Sequence, residues 1–327
     1  MIKMTNQRPR IALFAYSQPG FACLEELIKL KANISIVFTH IDAPDEEIWF
    51  DSVYSLAQKN NITVYRSNKI DAAALELFKQ ASPDIILSAY YRAIIPDSFL
   101  TTPRLGAYNL HGSLLPKYRG RACINWAVLK GEKQTGVTMH VMTNRADKGD
   151  IIAQEAFPIK FTDTGHDIFL KTSQTVKNII KNYLPLIESS TAPHFPQDES
   201  QATKFGRRRP ADGIINWDSD VIDIYNLIRS VTHPFPGAFT FYKGKKIFIW
   251  WAVPLDEKEF IPLPGVQGAK NKLEYKSGDI INTNNKIIIK CQHGYLLLKT
   301  VAHPHDIDCL PTSKAFSAIF KTGNQLG

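Results

Sequence analysis

Short apolar runs alternate with amphipathic stretches through the first ninety residues of the chain. RIALFAY (10–16) ends in Ser17-Gln18-Pro19-Gly20, and FACLEELIKL (21–30) then carries apolar positions at helical spacing. ISIVFTH (34–40), ITVY (62–65) and DIILSAY (84–90) are further runs, set apart by the helical patterns FDSVYSLAQKN (50–60) and AAALELFKQA (72–81). Runs that are apolar throughout, rather than at every second position, belong to strands covered on both faces. Strand and helix in strict alternation predict a Rossmann-like, mostly parallel α/β sheet, with its ligand beyond the carboxyl ends of the strands.

The pattern changes after about residue 135. TGVTMHVM (135–142) and IIAQEAFPI (151–159) are β-type runs joined by the polar stretch Thr143 to Asp150, which predicts a hairpin. A long helix is predicted over 164–188. Residues 190–213 are rich in Pro, Ser and charge and lack an apolar period, the composition of a linker. One more helix, SDVIDIYNLIRSV, precedes AFTFY, KKIFIWWAV, KIIIKCQ and GYLLLKT, short β segments separated by Gly, Pro and Asn. Their spacing predicts a small OB-like β-barrel. The expected organisation is a first domain at 1–189 that carries the chemistry, a linker at 190–213 and a β-rich domain at 214–327.

Composition narrows the picture only a little. With 327 residues, 44% apolar and 21% charged, the chain can bury roughly 75% of its unfolded surface without a metal or disulfide. Cys23, Cys123, Cys291 and Cys309 form no C-x-x-C pair, so neither a zinc site nor a disulfide framework is expected, and a reducing compartment fits. The first apolar stretch is too short for a signal peptide or a membrane span. A cytoplasmic enzyme without membrane insertion is expected. The net charge of +8 admits a polyanion such as RNA, but equally an anionic small substrate. G-x-G-x-x-G is missing from the first turn, as is G-x-x-x-x-G-K-[ST] from the chain, which argues against a dinucleotide or Walker-type site.

Polar chemistry concentrates in NLHGSLLPKYRGR (109–121). Asn109 and His111 stand two apart on a strand that runs into Gly112, so both project from one face while Leu110 turns to the core. By themselves they would serve as readily to cap the strand end through backbone hydrogen bonds. A base needs an acid to hold its tautomer. Asp147, in the turn between the two later β runs, is the first candidate and Asp150 the second. A turn aspartate bonding its own backbone is the plain alternative.

From Asn109 to Gln154 the chain reads NLHGSLLPKYRGRACINWAVLKGEKQTGVTMHVMTNRADKGDIIAQ. This stretch resembles the core motif of the 10-formyltetrahydrofolate-dependent formyltransferases: Asn-x-His, Ser-Leu-Leu-Pro, an aromatic-Arg-Gly turn, a Gly-Val-Thr strand and Asp-x-Gly. Within that family the likeness is greatest to the UDP-4-amino-4-deoxy-L-arabinose formyltransferase domains of bifunctional polymyxin-resistance proteins. LFAYSQPG, FTHIDAPDE, SAYYRAII, FGRRRPAD and HPFPGAF extend it over most of residues 10–245, and it thins over the last eighty. The resemblance implies a sugar-nucleotide acceptor, a folate donor, and a place in lipid A and lipopolysaccharide modification.

It also implies a mechanism, in which formyl passes to a substrate amine through a tetrahedral oxyanion. His111 would move the protons, Asn109 would donate to the oxyanion, and Asp147 would orient His111 and raise its pKa. The amine is the nucleophile, so no Ser or Cys nucleophile is needed and no metal is implied. For the donor the resemblance implies Ala93, Ile94 and Ile95, Arg121, and the loop Thr143, Asn144, Arg145, Ala146 and Asp147. Read alone, Ala93 to Ile95 would be plain core and Arg121 a solvated residue at a helix start. A homo-oligomer is compatible with the resemblance. The chain departs from the pattern at Cys123, where the family has Pro, and 327 residues leave no room for a decarboxylase half, so decarboxylation is not expected. Arg207 to Arg209 could meet the nucleotide diphosphate or form a solvated face, and the second is the reading favoured here.

Methionyl-tRNA formyltransferase would share this chemistry with a polyanion acceptor. The resemblance implies a basic insertion after the second strand in the tRNA enzymes. Here IDAPDEEIWFD (41–51) carries Asp42, Asp45, Glu46, Glu47 and Asp51 and no Lys or Arg, and such acids repel phosphates. A sugar nucleotide, not nucleic acid, is therefore the expected partner. A non-catalytic folate or nucleotide-sugar binding module on the same fold is a third class, though binding alone does not call for Asn109, His111 and Asp147 together. The sequence leaves open which amino sugar is used, a UDP-arabinose type or a 4-amino-6-deoxyhexose on dTDP or UDP.

Overall fold

The apolar runs of the first ninety residues are strands and the patterns between them helices, in a computed structural model that describes residues 8–44, 47–255, 275–283, 286–302, 310–311 and 320–327. In order come β1 (Arg10–Ala15), α1 (Ser17–Lys29), β2 (Asn33–Thr39), α2 (Val53–Lys59), β3 (Val64–Arg66), α3 (Ala72–Ala81), β4 (Ile85–Ala89) and α4 (Asp97–Leu100). Next are β5 (Ala107–His111), β6 (Arg119–Gly120), α5 (Cys123–Leu129), β7 (Gln134–Val141), β8 (Ile151–Pro158), α6 (Gly165–Glu188) and β9 (Lys204–Phe205). Helix starts are set by side chains: Ser52 and Asp71 accept from the Ser55 and Ala74 N–H groups at the heads of α2 and α3, caps worth about 1 kcal/mol each.

The chain divides into two compact units, one of residues 1–124, 134–158 and 168–206, the other of 125–133, 159–167 and 207–327. The first holds a seven-stranded sheet in the order β3-β2-β1-β4-β5-β7-β8. β3, β2, β1, β4 and β5 are parallel, and β7 and β8 join antiparallel as the expected hairpin. Strand direction from β1 spreads both ways, to β2 and to β4, the switch beside which α/β sheets bind ligands.

Both faces of this sheet are buried, which is why its strands read as unbroken apolar runs. Leu13, Val37, Leu87 and Leu110 pack with Leu24 and Leu27 of α1 and with Val176, Ile180 and Leu184 of α6. Ala12, Phe14, Ile36, Phe38 and Ile86 pack instead with Ala74 and Phe78 of α3, and the Phe14 and Phe38 rings stack at 4.4 Å. Leu110 and Met139 belong to the α1/α6 side. Period-two alternation therefore places Asn109 and His111 of β5, and Thr138 and His140 of β7, together on the opposite face. The register pairs Asn109 with His140 and His111 with Thr138.

The second unit contains α7 (Val221–Val231), β10 (Ala238–Tyr242), β11 (Lys245–Leu255), β12 (Ile280–Thr283), β13 (Lys286–Lys290), β14 (Tyr295–Ala302) and β15 (Leu310–Pro311). The strands form a six-stranded antiparallel sheet, β10-β11-β14-β13-β12 with β15 on β14. Register shifts near Trp251 supply the bend that curls it into a barrel-like layer. Ile224, Tyr225 and Ile228 of α7 cluster with Ile249, Leu296, Leu298 and Val301 of the sheet. Cys23, Cys123 and Cys291 are free and buried; Cys309 lies outside the described residues, as do Asp45 and Glu46. Among the described residues no helix is long and apolar enough to cross a membrane.

Candidate active site

Asn109 and His111 do converge with Asp147, and a second histidine completes the group. His111 Nδ1 lies 3.5 Å from Asp147 Oδ1, and His140 Nε2 lies 3.6 Å from the same oxygen. Asn109 Nδ2 meets His140 Nε2 at 3.2 Å, so Asn109 reaches the cluster through His140. Asp147 Oδ2 accepts the Gly120 N–H at 2.8 Å. The sequence marks β7 as one arm of a hairpin with β8 but not its other partner, β5. Only the register with β5 brings His140 into the group.

The proton inventory follows from the partners. His111 Nε2 is 2.8 Å from the Tyr118 carbonyl, which can only accept, so Nε2 carries a proton. Nδ1 then faces a carboxylate oxygen. A proton there satisfies both atoms, and without it a lone pair points at a negative charge. Burial opposes the charged form, because His111 is 7% exposed. Burial is the larger influence and holds the imidazole below its ordinary value, against the upward pull of Asp147 and of the Tyr118 carbonyl. The expected raised pKa is thus not what the environment produces. Asp147's own burial works to raise its carboxyl, yet His111, His140 and the Gly120 N–H together hold it well below the usual carboxylate range. A buried ring with one fixed proton and one site beside a fixed anion can accept a proton and give it back.

The turn that carries the Tyr118 carbonyl is made by unusual backbone. Tyr118, Gly120 and Ala122 have φ of 60°, 100° and 56°, and left-handed non-glycine residues persist only where surroundings hold them. Here β6 pairs with β9, Tyr118 N–H donates to Thr203 Oγ1 at 2.8 Å, and the Tyr118 and Phe205 rings stack at 4.8 Å. Upstream, Thr138 Oγ1 donates to the Ser113 carbonyl at 2.6 Å and accepts the Leu115 N–H at 3.0 Å.

The loop before β8 is clamped as well. Gln197 Nε2 donates to the carbonyls of Asp147 at 2.9 Å and Gly149 at 2.8 Å. Its Oε1 accepts from Arg119 Nη2 at 2.6 Å, and Arg119 also grips Glu199 with two nitrogens at 2.9 and 2.7 Å. Gln197, Glu199, Thr203 and Phe205 lie in the stretch without an apolar period, and no pattern in the sequence singles them out.

Of the positions expected at the folate donor, Ile95 is core, 4% exposed and packed with Phe99 and Ile86. Ile94 is 85% exposed. The backbone groups of Ala93, Ile94 and Ile95 make no hydrogen bond to backbone of any described residue, so this segment offers open donors and acceptors of the kind a flat heterocycle can use. Arg121 is exposed and reaches it, donating from Nη2 to the Arg92 carbonyl at 3.2 Å. Thr143 to Ala146 form an exposed loop, tied by Thr143 Oγ1 to the Arg145 carbonyl at 2.9 Å. Among the described residues no group of three or more His, Cys, Asp or Glu could hold a metal ion.

A mostly parallel α/β sheet thus carries an antiparallel hairpin at its edge, with an Asn-x-His strand facing an aspartate loop. Residues 20–184 match the family model for formyl transferase, and residues 208–309 match that for the formyl transferase C-terminal domain. The first match spans half of the chain, and the chain belongs to the formyl transferase family.

Solved structures share the fold at low identity. An N-formyltransferase from Helicobacter canadensis in complex with folinic acid and dTDP-3-aminofucose is similar with a TM-score of 0.67 and 20% identity, over 88% of this chain and 97% of that one. WlaRD, a sugar 3N-formyl transferase crystallised with dTDP and 5-N-formyl-THF, gives 0.63 and 19%, over 92% of this chain and 100% of that one. A 4-N formyltransferase from Francisella tularensis gives 0.60 and 18%, over 74% and 96%.

Proposed function

We propose that the protein transfers the formyl group of 10-formyltetrahydrofolate to the amino group of a nucleotide-linked amino sugar. One observation carries the reading: Asn109, His111 and Asp147 meet, through His140, within 3.6 Å contacts at the carboxyl end of β5. His111 takes the proton of the attacking amine and returns one to the leaving nitrogen, a role that contributes about 10²–10⁴-fold. Asn109 donates an amide N–H to the formyl oxygen as charge develops there, worth roughly 2.7–4 kcal/mol of barrier. Asp147 orients His111 and favours its cation.

Bound folate supplies an activated formyl group. The open backbone of Ala93 to Ile95, Arg121, and the loop from Thr143 to Asp147 would hold it. The catalytic part comprises 1–189 together with the stretch to Phe205 that clamps its loops, and the β-rich part is 214–327. Similar structures holding 5-N-formyl-THF with dTDP, and folinic acid with dTDP-3-aminofucose, support this substrate class. UDP-4-amino-4-deoxy-L-arabinose is the first acceptor on the strength of the motif likeness, and dTDP- or UDP-linked 4-amino-6-deoxyhexoses follow.

Incubation with 10-formyltetrahydrofolate and a panel of these amino-sugar nucleotides, read by mass spectrometry, is expected to give one N-formyl product. Formylation of none of them overturns the reading. His111→Ala is expected to lower kcat by about 10²–10⁴-fold, and wild-type turnover in that variant removes His111 as the base.

A further inference from the structure

Two imidazoles address one carboxylate oxygen, but only His111 has a part in the reaction above. The bonds of the other are fully specified. His140 Nδ1 is 2.8 Å from the Val141 carbonyl, and a carbonyl only accepts, so Nδ1 bears the hydrogen. In the neutral ring Nε2 is then a bare lone pair. Asn109 Nδ2 meets it at 3.2 Å, closer than Asp147 Oδ1 at 3.6 Å. A lone pair there accepts the NH₂ end of the Asn109 amide and rejects the carbonyl end. A second proton on Nε2 would reverse that choice, turning Asn109's carbonyl inward. His140 is 3% exposed, so water does not compete for the contact.

We propose that His140 is a positioning residue that acts through Asn109: as the Nδ1–H tautomer it turns the amide so that one N–H is engaged and the second is available to the reacting oxygen. What Asn109 donates to rests on the formyl-transfer reading; the orientation of the amide does not. Asp147 Oδ1, 3.6 Å from Nε2, draws a second proton towards the same nitrogen, and the neutral ring rests on burial and on the shorter Asn109 contact prevailing over that pull.

The tautomer is checked first on the wild-type protein, by long-range ¹H–¹⁵N spectra of the imidazoles. His140 is expected with Nδ1 protonated and Nε2 bare, and the opposite pattern overturns the proposal whether or not an acceptor has been found. Kinetics then test the route through Asn109. His140→Phe removes the acceptor and is expected to lower kcat by about 10–100-fold, a part of the 10²–10³ that a lost oxyanion donor costs, with both KM values within about twofold. His140→Gln can place a carbonyl oxygen near the Nε2 position and is expected to stay within about fivefold of wild type. In an Asn109→Ala background, His140→Phe should add no more than about twofold, because residues acting as a unit are non-additive. An equal loss in both backgrounds, wild-type turnover in His140→Phe, or a His140→Gln no better than His140→Phe each overturns it. Absence of formyl transfer by the wild type instead overturns the functional reading and leaves the spectrum to decide the amide.

Discussion

Asp147 holds a left-handed backbone, φ 58°, while its two carboxylate oxygens serve three partners. Oδ2 takes the Gly120 N–H and Oδ1 stands beside His111 and His140. Its folded value is depressed, so the stability it contributes is present above the unfolded carboxylate value and is lost as pH falls towards the folded one. His111 is depressed too. The unfolded chain therefore binds that proton more readily, and acidification below about 6.5 also favours unfolding. Both slopes have the same sign. Asp147→Asn is expected to flatten the acid limb of stability below about pH 4, measured by urea denaturation across pH, while lowering kcat by about 10²–10⁴-fold. An unchanged acid limb would show that the carboxylate is not held by these partners. At this scale the sequence was informative where a residue type and a spacing suffice. Asn109 and His111 lie two apart on a strand, and Asp147 precedes Lys148-Gly149 in a turn. It was silent on His140, whose place depends on which strand β7 pairs with.

The turn between β5 and α5 shows how an element of two residues can decide a geometry. Gly120 has φ 100°, and a Cβ there would come within 2.2 Å of the Phe205 carbonyl. Gly120→Ala therefore strains the turn and breaks the β6–β9 pairing at once. A loss of about 1–3 kcal/mol is expected in denaturant titration, with kcat lowered more than either KM. Gln197→Ala removes the clamp on the Asp147 and Gly149 carbonyls and, among the described residues, leaves the Arg119 guanidinium on Glu199. We expect kcat to fall about tenfold, within the range that supporting shells contribute, with thermal stability nearly unchanged; full activity would mean the loop holds itself. These devices leave little trace in a sequence. β1, β2 and β4 announce themselves because both faces are buried, whereas β6 and β9 have no period to read.

Across the whole molecule, the alternation of runs conveyed the parallel sheet, and evenly spaced short strands conveyed the barrel-like second layer. Charge behaves less simply than composition implies. The net +8 invites RNA, while Asp42 in the acidic loop is bonded to Arg66 at 2.6 Å and to the Tyr16 hydroxyl at 2.8 Å, so part of that acidity is already balanced. Bulk tRNA is expected to bind only in the non-specific range of about 10⁻⁴–10⁻⁶ M at physiological salt. Submicromolar binding with a steep salt slope, measured by filter retention, would favour a tRNA acceptor instead. The pinning of Tyr118 by Thr203, 85 residues further on, has a consequence for biosynthesis. A ribosome that has already delivered all seven strands of the first sheet has still not delivered the segment that aims the carbonyl at His111. At about 5–20 residues per second, several seconds separate the last strand of that sheet from Thr203, and α6, which covers one face of the sheet, is made in the same interval; a chain that ends between α6 and Thr203 would lack the hydrogen bond that fixes Tyr118.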